Sequence, residues 1–182
     1  NLNFKIMRGW KVAIIGTNGI GKSTLLKTII KNLPLLSGTL LFGNNLKVGY
    51  YAQNQLDILN PKLNAIDNLM QLVPSISQQQ VRAILGNLLI TKDDVKKPIG
   101  VMSGGEQSKV AIAALLANKN NFILLDEPTN HLDMSSVEVL ANALANYPGT
   151  LMVVSHNRAF INTFATHLLQ MDKSKPAELI GV

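Results

Sequence analysis

The sequence predicts an α/β fold: a mostly parallel sheet flanked by helices on both faces, with a helical lobe inserted between its early and late strands. Three observations carry this. The last third alternates strand-like and helix-like segments, the pattern of parallel strands joined by crossover helices. The first apolar run, KVAIIG over Lys11–Gly16, passes through a glycine-rich loop into a helix with an apolar stripe. Between these regions, residues 60–115 show mainly helical spacing.

Taken in order, Lys11–Gly16 reads as a buried strand, short and continuously apolar. The helix after it should cover residues 22–32, with Leu25, Leu26, Ile29 and Ile30 on one face and Pro34 as the stop. Residues 38–42 and 47–51 read as two strands around the Gly43-Asn44-Asn45 turn. Residues 53–62 are polar, contain Pro61 and read as loop. Ala65–Leu72 and residues 77–85 are helical, separated by Pro74, with Ser77 as an N-cap. A charged connection over residues 92–97 ends at Pro98, and Gly104-Gly105 opens a long apolar-rich helix to about Ala117. Phe122–Asp126 is a strand, residues 135–145 a helix, residues 151–155 a strand, Arg158–Phe164 a short helix and His167–Met171 the last strand.

The bulk properties narrow the function classes. The chain has 182 residues, 47% hydrophobic and 15% charged, enough for one packed domain. There are no cysteines, which excludes disulfides and thiolate metal sites and fits the cytoplasm. No apolar run is long enough for a membrane-spanning helix. The net charge of +6 favours an acidic partner such as nucleic acid, although the basic residues are scattered, as they would be in an ordinary basic domain. The chain opens at Asn1 with no leader, so the expectation is a cytoplasmic fragment of a longer protein.

The most specific pattern is Gly16-Thr17-Asn18-Gly19-Ile20-Gly21-Lys22-Ser23, followed by Thr24, which matches G-x-x-x-x-G-K-[ST]. Glycines let the backbone bend so that consecutive N–H groups face phosphate oxygens. The helix start at Lys22 adds partial positive charge. Lys22 is placed for the β- and γ-phosphates and the Ser23 hydroxyl for Mg²⁺. The plain alternative is a glycine-rich turn before a helix. With this motif the expected fold is a P-loop NTPase of the RecA-like kind.

The strand Phe122–Asp126 closes on two carboxylates, Asp126 and Glu127. Ligands of parallel sheets sit beyond the carboxyl ends of strands. Asp126 would therefore face the nucleotide and hold Mg²⁺ through water, or else cap the next turn. Glu127, at the strand exit, is placed to polarise a water as general base.

From here the residues resemble a known family. Met102-Ser103-Gly104-Gly105-Glu106-Gln107 is similar to the signature motif of ABC ATP-binding domains, which usually reads Leu-Ser-Gly-Gly-Gln. Tyr51-Ala52-Gln53 resembles the Q-loop, and Leu125-Asp126-Glu127-Pro128-Thr129 the ABC form of the Walker B segment. Leu132-Asp133 stands where the D-loop belongs and Val154-Ser155-His156 where the switch histidine belongs. The elements follow the family's order from Gly16 to His156. Within the family, the run from Asp126 to Asp133, Glu106 in the signature, and Ser155-His156-Asn157-Arg158 resemble the ABC-F subgroup, whose members usually have Asp where this chain has Asn157.

The resemblance implies ATP and Mg²⁺ as ligands, with Gln53 sensing the metal and the γ-phosphate. It implies that Ser103, Gly104 and Gly105, with Glu106 and Gln107, close over a nucleotide held by a second ABC domain. His156 would contact the γ-phosphate, and Asp133 would link the two sites. ABC-F proteins carry two ABC domains on one chain, and many bind ribosomes. The expectation is thus one ATPase domain, residues 1–182, of a two-domain protein acting on the ribosome and its RNA. A second reading is the ATPase subunit of a membrane transporter, coupled to a separate permease. A third is a nucleotide-binding module without turnover, against which Glu127 and His156 both speak. His156 could also be a helix-terminal histidine with no catalytic part. His131 and His167 read as structural; Tyr50, Tyr51, Phe4 and Trp10 read as packing residues, which leaves the adenine platform upstream of Asn1.

Overall fold

The computed structural model describes residues 2–52, 55–91, 93–130 and 132–182. Strand β1 (Lys11–Gly16) is followed by helix α1 (Lys22–Ile29) and strand β2 (Val48–Tyr51). A helical lobe comes next, with α2 (Ala65–Leu72), α3 (Gln78–Asn87) and α4 (Gly104–Ala117). The chain then alternates through β3 (Phe122–Asp126), α5 (Met134–Ala145), β4 (Thr150–Val154), α6 (Arg158–Phe164) and β5 (His167–Met171), and ends with β6 (Glu178–Gly181). The strands form one sheet in the order β2-β3-β4-β1-β5-β6. The first five are parallel, and β6 runs antiparallel along β5.

Alternation along the strands sends side chains to two cores. Val12, Ile14, Phe122, Leu124, Met152 and Val154 meet Leu26 and Ile29 of α1 on one face. Ala13, Ile123, Leu125, Leu151 and Val153 point the other way, to a larger core with Leu140 and Leu144 of α5, Phe160 of α6 and the helical lobe. Burial on both faces is why these strands are nearly continuous apolar runs. The topology also brings the carboxyl ends of β1, β3 and β4 side by side, since Ile14 and Asp126 both pair with Val154.

Several boundaries differ from expectation for identifiable reasons. Helix α1 stops at Ile29, three residues before the predicted end, because Lys31 turns left-handed at φ 62°. The N–H of Asn32 then bonds the carbonyl of Lys27 at 2.9 Å, a Schellman-type closure that precedes Pro34. The strand predicted over residues 38–42 does not form. A strand needs a ladder partner, and the following segment, instead of folding back, pairs parallel with β3. Leu36 and Leu41 are left 97% and 86% exposed. His167–Met171 is not the last strand, since β6 follows it. Ser77 caps α3 as expected, with its side chain accepting from Gln80 N. Trp10 packs on the smaller core and stacks on His167 with ring centroids 3.7 Å apart.

Candidate active site

Two glycines shape the loop between β1 and α1. A Cβ on Gly16 would lie 2.6 Å from the carbonyl of Met171 on β5, so the loop leaves the sheet through a gap only glycine fits. Gly21 occupies the N-cap position of α1 with φ 104°, a left-handed value that other residues rarely adopt. No side chain caps α1. Among the described residues its first-turn N–H groups therefore meet no capping side chain at the helix's positive end, as anion binding requires. Lys22 is only 7% exposed. Its ammonium donates to the carbonyls of Gly16 at 2.9 Å and Thr17 at 3.1 Å, so the charge lies inside the curve of the loop.

The next side chain joins this loop to β3. Ser23 Oγ donates to Asp126 Oδ1 at 3.0 Å across 103 positions of sequence. Asp126 thus reaches beyond its own turn to the loop after β1. A hydroxyl and a carboxylate are hard oxygen donors, the kind Mg²⁺ takes when phosphates and water complete its shell. Among the described residues no group of three or more histidines and carboxylates could hold a metal alone.

Glu127 leaves the strand abruptly, in the left-handed region at φ 48°. For a residue other than glycine this stores backbone strain on the order of 1–3 kcal/mol. Its N–H still bonds the carbonyl of Val154 at 3.0 Å, which ties the turn to β4. The carboxylate meets His156, with Oε1 and Nε2 3.3 Å apart; the Glu127 side chain is 22% exposed and that of His156 52%. Burial pushes the Glu127 carboxyl above the usual glutamate range; His156 and Lys22 oppose the shift and Asp126 adds to it. A carboxylate with a raised pKa beside an imidazole can take a proton from water.

The structure thus brings Lys22, Ser23, Asp126, Glu127 and His156 to one end of the sheet. Asn157, where family members usually have Asp, accepts from Phe160 N at 3.1 Å and caps α6. Ser103 to Gln107 belong to the start of α4, and their side-chain bonds stay local: Gln107 Nε2 donates to the carbonyls of Ile99 at 3.1 Å and Met102 at 3.0 Å. Asp133 is the N-cap of α5, accepting from Ser136 N at 2.7 Å and Ser135 Oγ at 2.9 Å. Those bonds hold its carboxyl down at about 2. Gln53 lies outside the described residues.

Two features escaped the sequence reading. The Tyr50 hydroxyl is buried without a hydrogen-bond partner among the described residues, and Asp126, after burial, contributes to raising its pKa. Nothing in a short apolar strand announces that. Ser103 and Glu106 form a reciprocal capping box, which the Ser-x-x-Glu spacing does announce.

Comparison with known proteins gives the family and the fold. The sequence profile of the family described as "ABC transporter" matches residues 1–130, more than half of the chain. YdiF of Bacillus subtilis (strain 168) is 48% identical over 180 residues, covering 99% of this chain and 28% of that protein. ABC transporter F family member 3 of Arabidopsis thaliana is 38% identical over 181 residues, covering 100% of this chain and 25% of that protein. The chain therefore spans between a quarter and a third of the length of these relatives. Among solved structures, a crystal complex of the archaeal ribosomal stalk protein aP1 and the archaeal ribosome recycling factor aABCE1 superposes with a TM-score of 0.80 at 26% identity, covering 97% of this chain and 35% of the matched one. Among the described residues no helix is long and apolar enough to cross a membrane. The chain belongs to the ABC family of ATP-binding domains, and sub-family F members are among its relatives.

Proposed function

We propose that this chain is one of two ABC domains of a cytoplasmic ABC-F protein, in which ATP binding closes the pair, hydrolysis reopens it, and the cycle acts on the ribosome. The observation that carries the catalytic part is the convergence of the Gly16–Ser23 loop with Asp126 and of Glu127 with His156. The backbone from Gly16 to Thr24 wraps the phosphates, and Lys22 turns its ammonium from the loop carbonyls to the β- and γ-phosphates. Ser23 and Asp126 would hold Mg²⁺, the latter through water, with Gln53 completing the set; bound there, the ion offsets phosphate charge. Glu127 orients the attacking water and accepts its proton, and His156 contacts the γ-phosphate.

Ser103, Gly104 and Gly105 complete the partner domain's site with a hydroxyl and helix-terminal N–H groups. Asp133 joins the two sites across the interface. Closure follows because ATP binds the closed state more tightly than the open one.

Ribosome action is supported by the sub-family F relatives, by the named role of the ribosome recycling factor aABCE1, and by the net charge of +6. The test is co-sedimentation of the full-length protein with ribosomes in a non-hydrolysable ATP analogue. Wild type should pellet with ribosomes, and Lys22→Ala should remain in the supernatant with its ATP affinity lost. Wild type that stays soluble removes the ribosome from the account. Unchanged ATP affinity in Lys22→Ala contradicts the phosphate-binding loop.

A further inference from the structure

Two helices of this chain open with the same device, and only one of the two is charged. At the start of α3, Ser77 N and Oγ donate to Gln80 Oε1 at 3.0 and 3.1 Å, and Gln80 N donates back to Ser77 Oγ at 3.3 Å. At the start of α4, Ser103 N and Oγ donate to Glu106 Oε2 at 2.7 and 2.8 Å, and Glu106 N donates back to Ser103 Oγ at 3.3 Å. The connectivity is identical. Both bonds to the carboxylate are shorter than their counterparts to the amide, and the N–H···O bond at 2.7 Å has the length of a charge-assisted hydrogen bond.

A serine hydroxyl has one proton to give. In α4 that proton goes to Glu106, although Ser103 itself is exposed, so the hydroxyl must turn from the carboxylate to donate to a partner's phosphate. The carboxylate also sits beside the helix end that would meet a phosphate. Lys97, which is within electrostatic reach of Glu106, is held 2.6 Å from Asp94 and is shared between the two.

We infer that Glu106 is a positioning residue with a threshold role. It holds the Ser103 hydroxyl in place, and its charge opposes approach of the partner domain's terminal phosphate. The pair therefore closes at a higher ATP concentration than a neutral capping box would need. This rests on the paired-domain reading above. Gln80 shows, within the same molecule, that glutamine at the third helical position makes the same three bonds. Glu106→Gln therefore removes the charge and keeps the cap.

The experiment is a titration of the full-length protein with a non-hydrolysable ATP analogue. Domain closure is followed by a distance-sensitive fluorophore pair, in wild type and Glu106→Gln, at low and high salt. Glu106→Gln should close at about five- to tenfold lower nucleotide, the effect of removing one unit charge a few ångströms from a phosphate in water. The gap should shrink near ~1 M salt, where screening reaches about 3 Å. A purely structural cap would show no such salt dependence. Equal or higher nucleotide demand in Glu106→Gln, or a gap indifferent to salt, overturns the inference. If wild type binds nucleotide and never closes, the paired-domain reading fails, and this inference with it.

Discussion

The strand-end cluster and the start of α4 are built in opposite ways. The first is assembled from distant parts of the chain. Ser23 and Asp126 meet across 103 positions, and Glu127 meets His156 where β3 and β4 end together. The second is nearly self-contained, since the side-chain bonds of Ser103, Glu106 and Gln107 stay within residues 99–107. The strand-end cluster therefore exists only when the parallel sheet is in register. The α4 end needs only a helix start and the turn before it. Substitutions in the first should change chemistry and depend on one another, and substitutions in the second should leave the fold intact and act on closure of the domain pair.

The largest expected effect is at Glu127. Glu127→Gln keeps the shape of the side chain and removes its basicity. Turnover of the full-length protein should fall about 10²–10⁴-fold with ATP binding retained. Near-wild-type turnover would take Glu127 out of the reaction and leave the contrast between the two regions without its chemical half.

A smaller effect concerns pH. Because burial raises the Glu127 pKa, the acid limb of the turnover profile should lie above the ordinary glutamate value of 4.5. The same shift acts on stability. A native pKa above the unfolded one means that the folded state binds more protons between the two values. Stability is therefore lost as pH rises through that window. Glu127→Gln should be at least as stable as wild type at neutral pH, with the difference vanishing below about 4.5, the ordinary value. Thermal melts at several pH values read this directly. A mutant less stable at neutral pH would show that the carboxylate is a structural asset.

The smallest expected effect on stability lies at Asp133, whose bonds are as local as those of α4. Its folded pKa is lowered to about 2 from 3.8. Its contribution is present above the ordinary value and lost as pH falls towards about 2. Asp133→Ala should lower the melting temperature slightly at neutral pH and not at all near pH 2. A pH-independent loss would mean that the carboxylate is not the group supporting α5.

The contrast between assembled and local structure also accounts for what could be read from the sequence. Elements defined by their own pattern match expectation: Lys11–Gly16, Ala65–Leu72, Phe122–Asp126, Arg158–Phe164 and His167–Met171 have the predicted bounds. The bend of the loop between β1 and α1 was legible because its glycines answer to backbone geometry at Gly16 and Gly21. The failures depend on pairing. Residues 38–42 have strand character and no ladder partner, whereas Glu178–Gly181 has weak strand character and finds one in β5. The Glu127–His156 contact joins side chains 29 positions apart, and no local pattern contains it. The left-handed turn at Lys31 could not be foreseen, since lysine is not the residue expected there.

The account depends most on the loop at Gly16–Ser23 and the end of β3 forming one site. A double-mutant cycle on Mg²⁺–ATP affinity, with Ser23→Ala, Asp126→Asn and the two combined, measures that directly. Coupling of about 0.5–3 kcal/mol, the range for residues sharing one network, is the predicted result. Simple additivity of the two losses would contradict it.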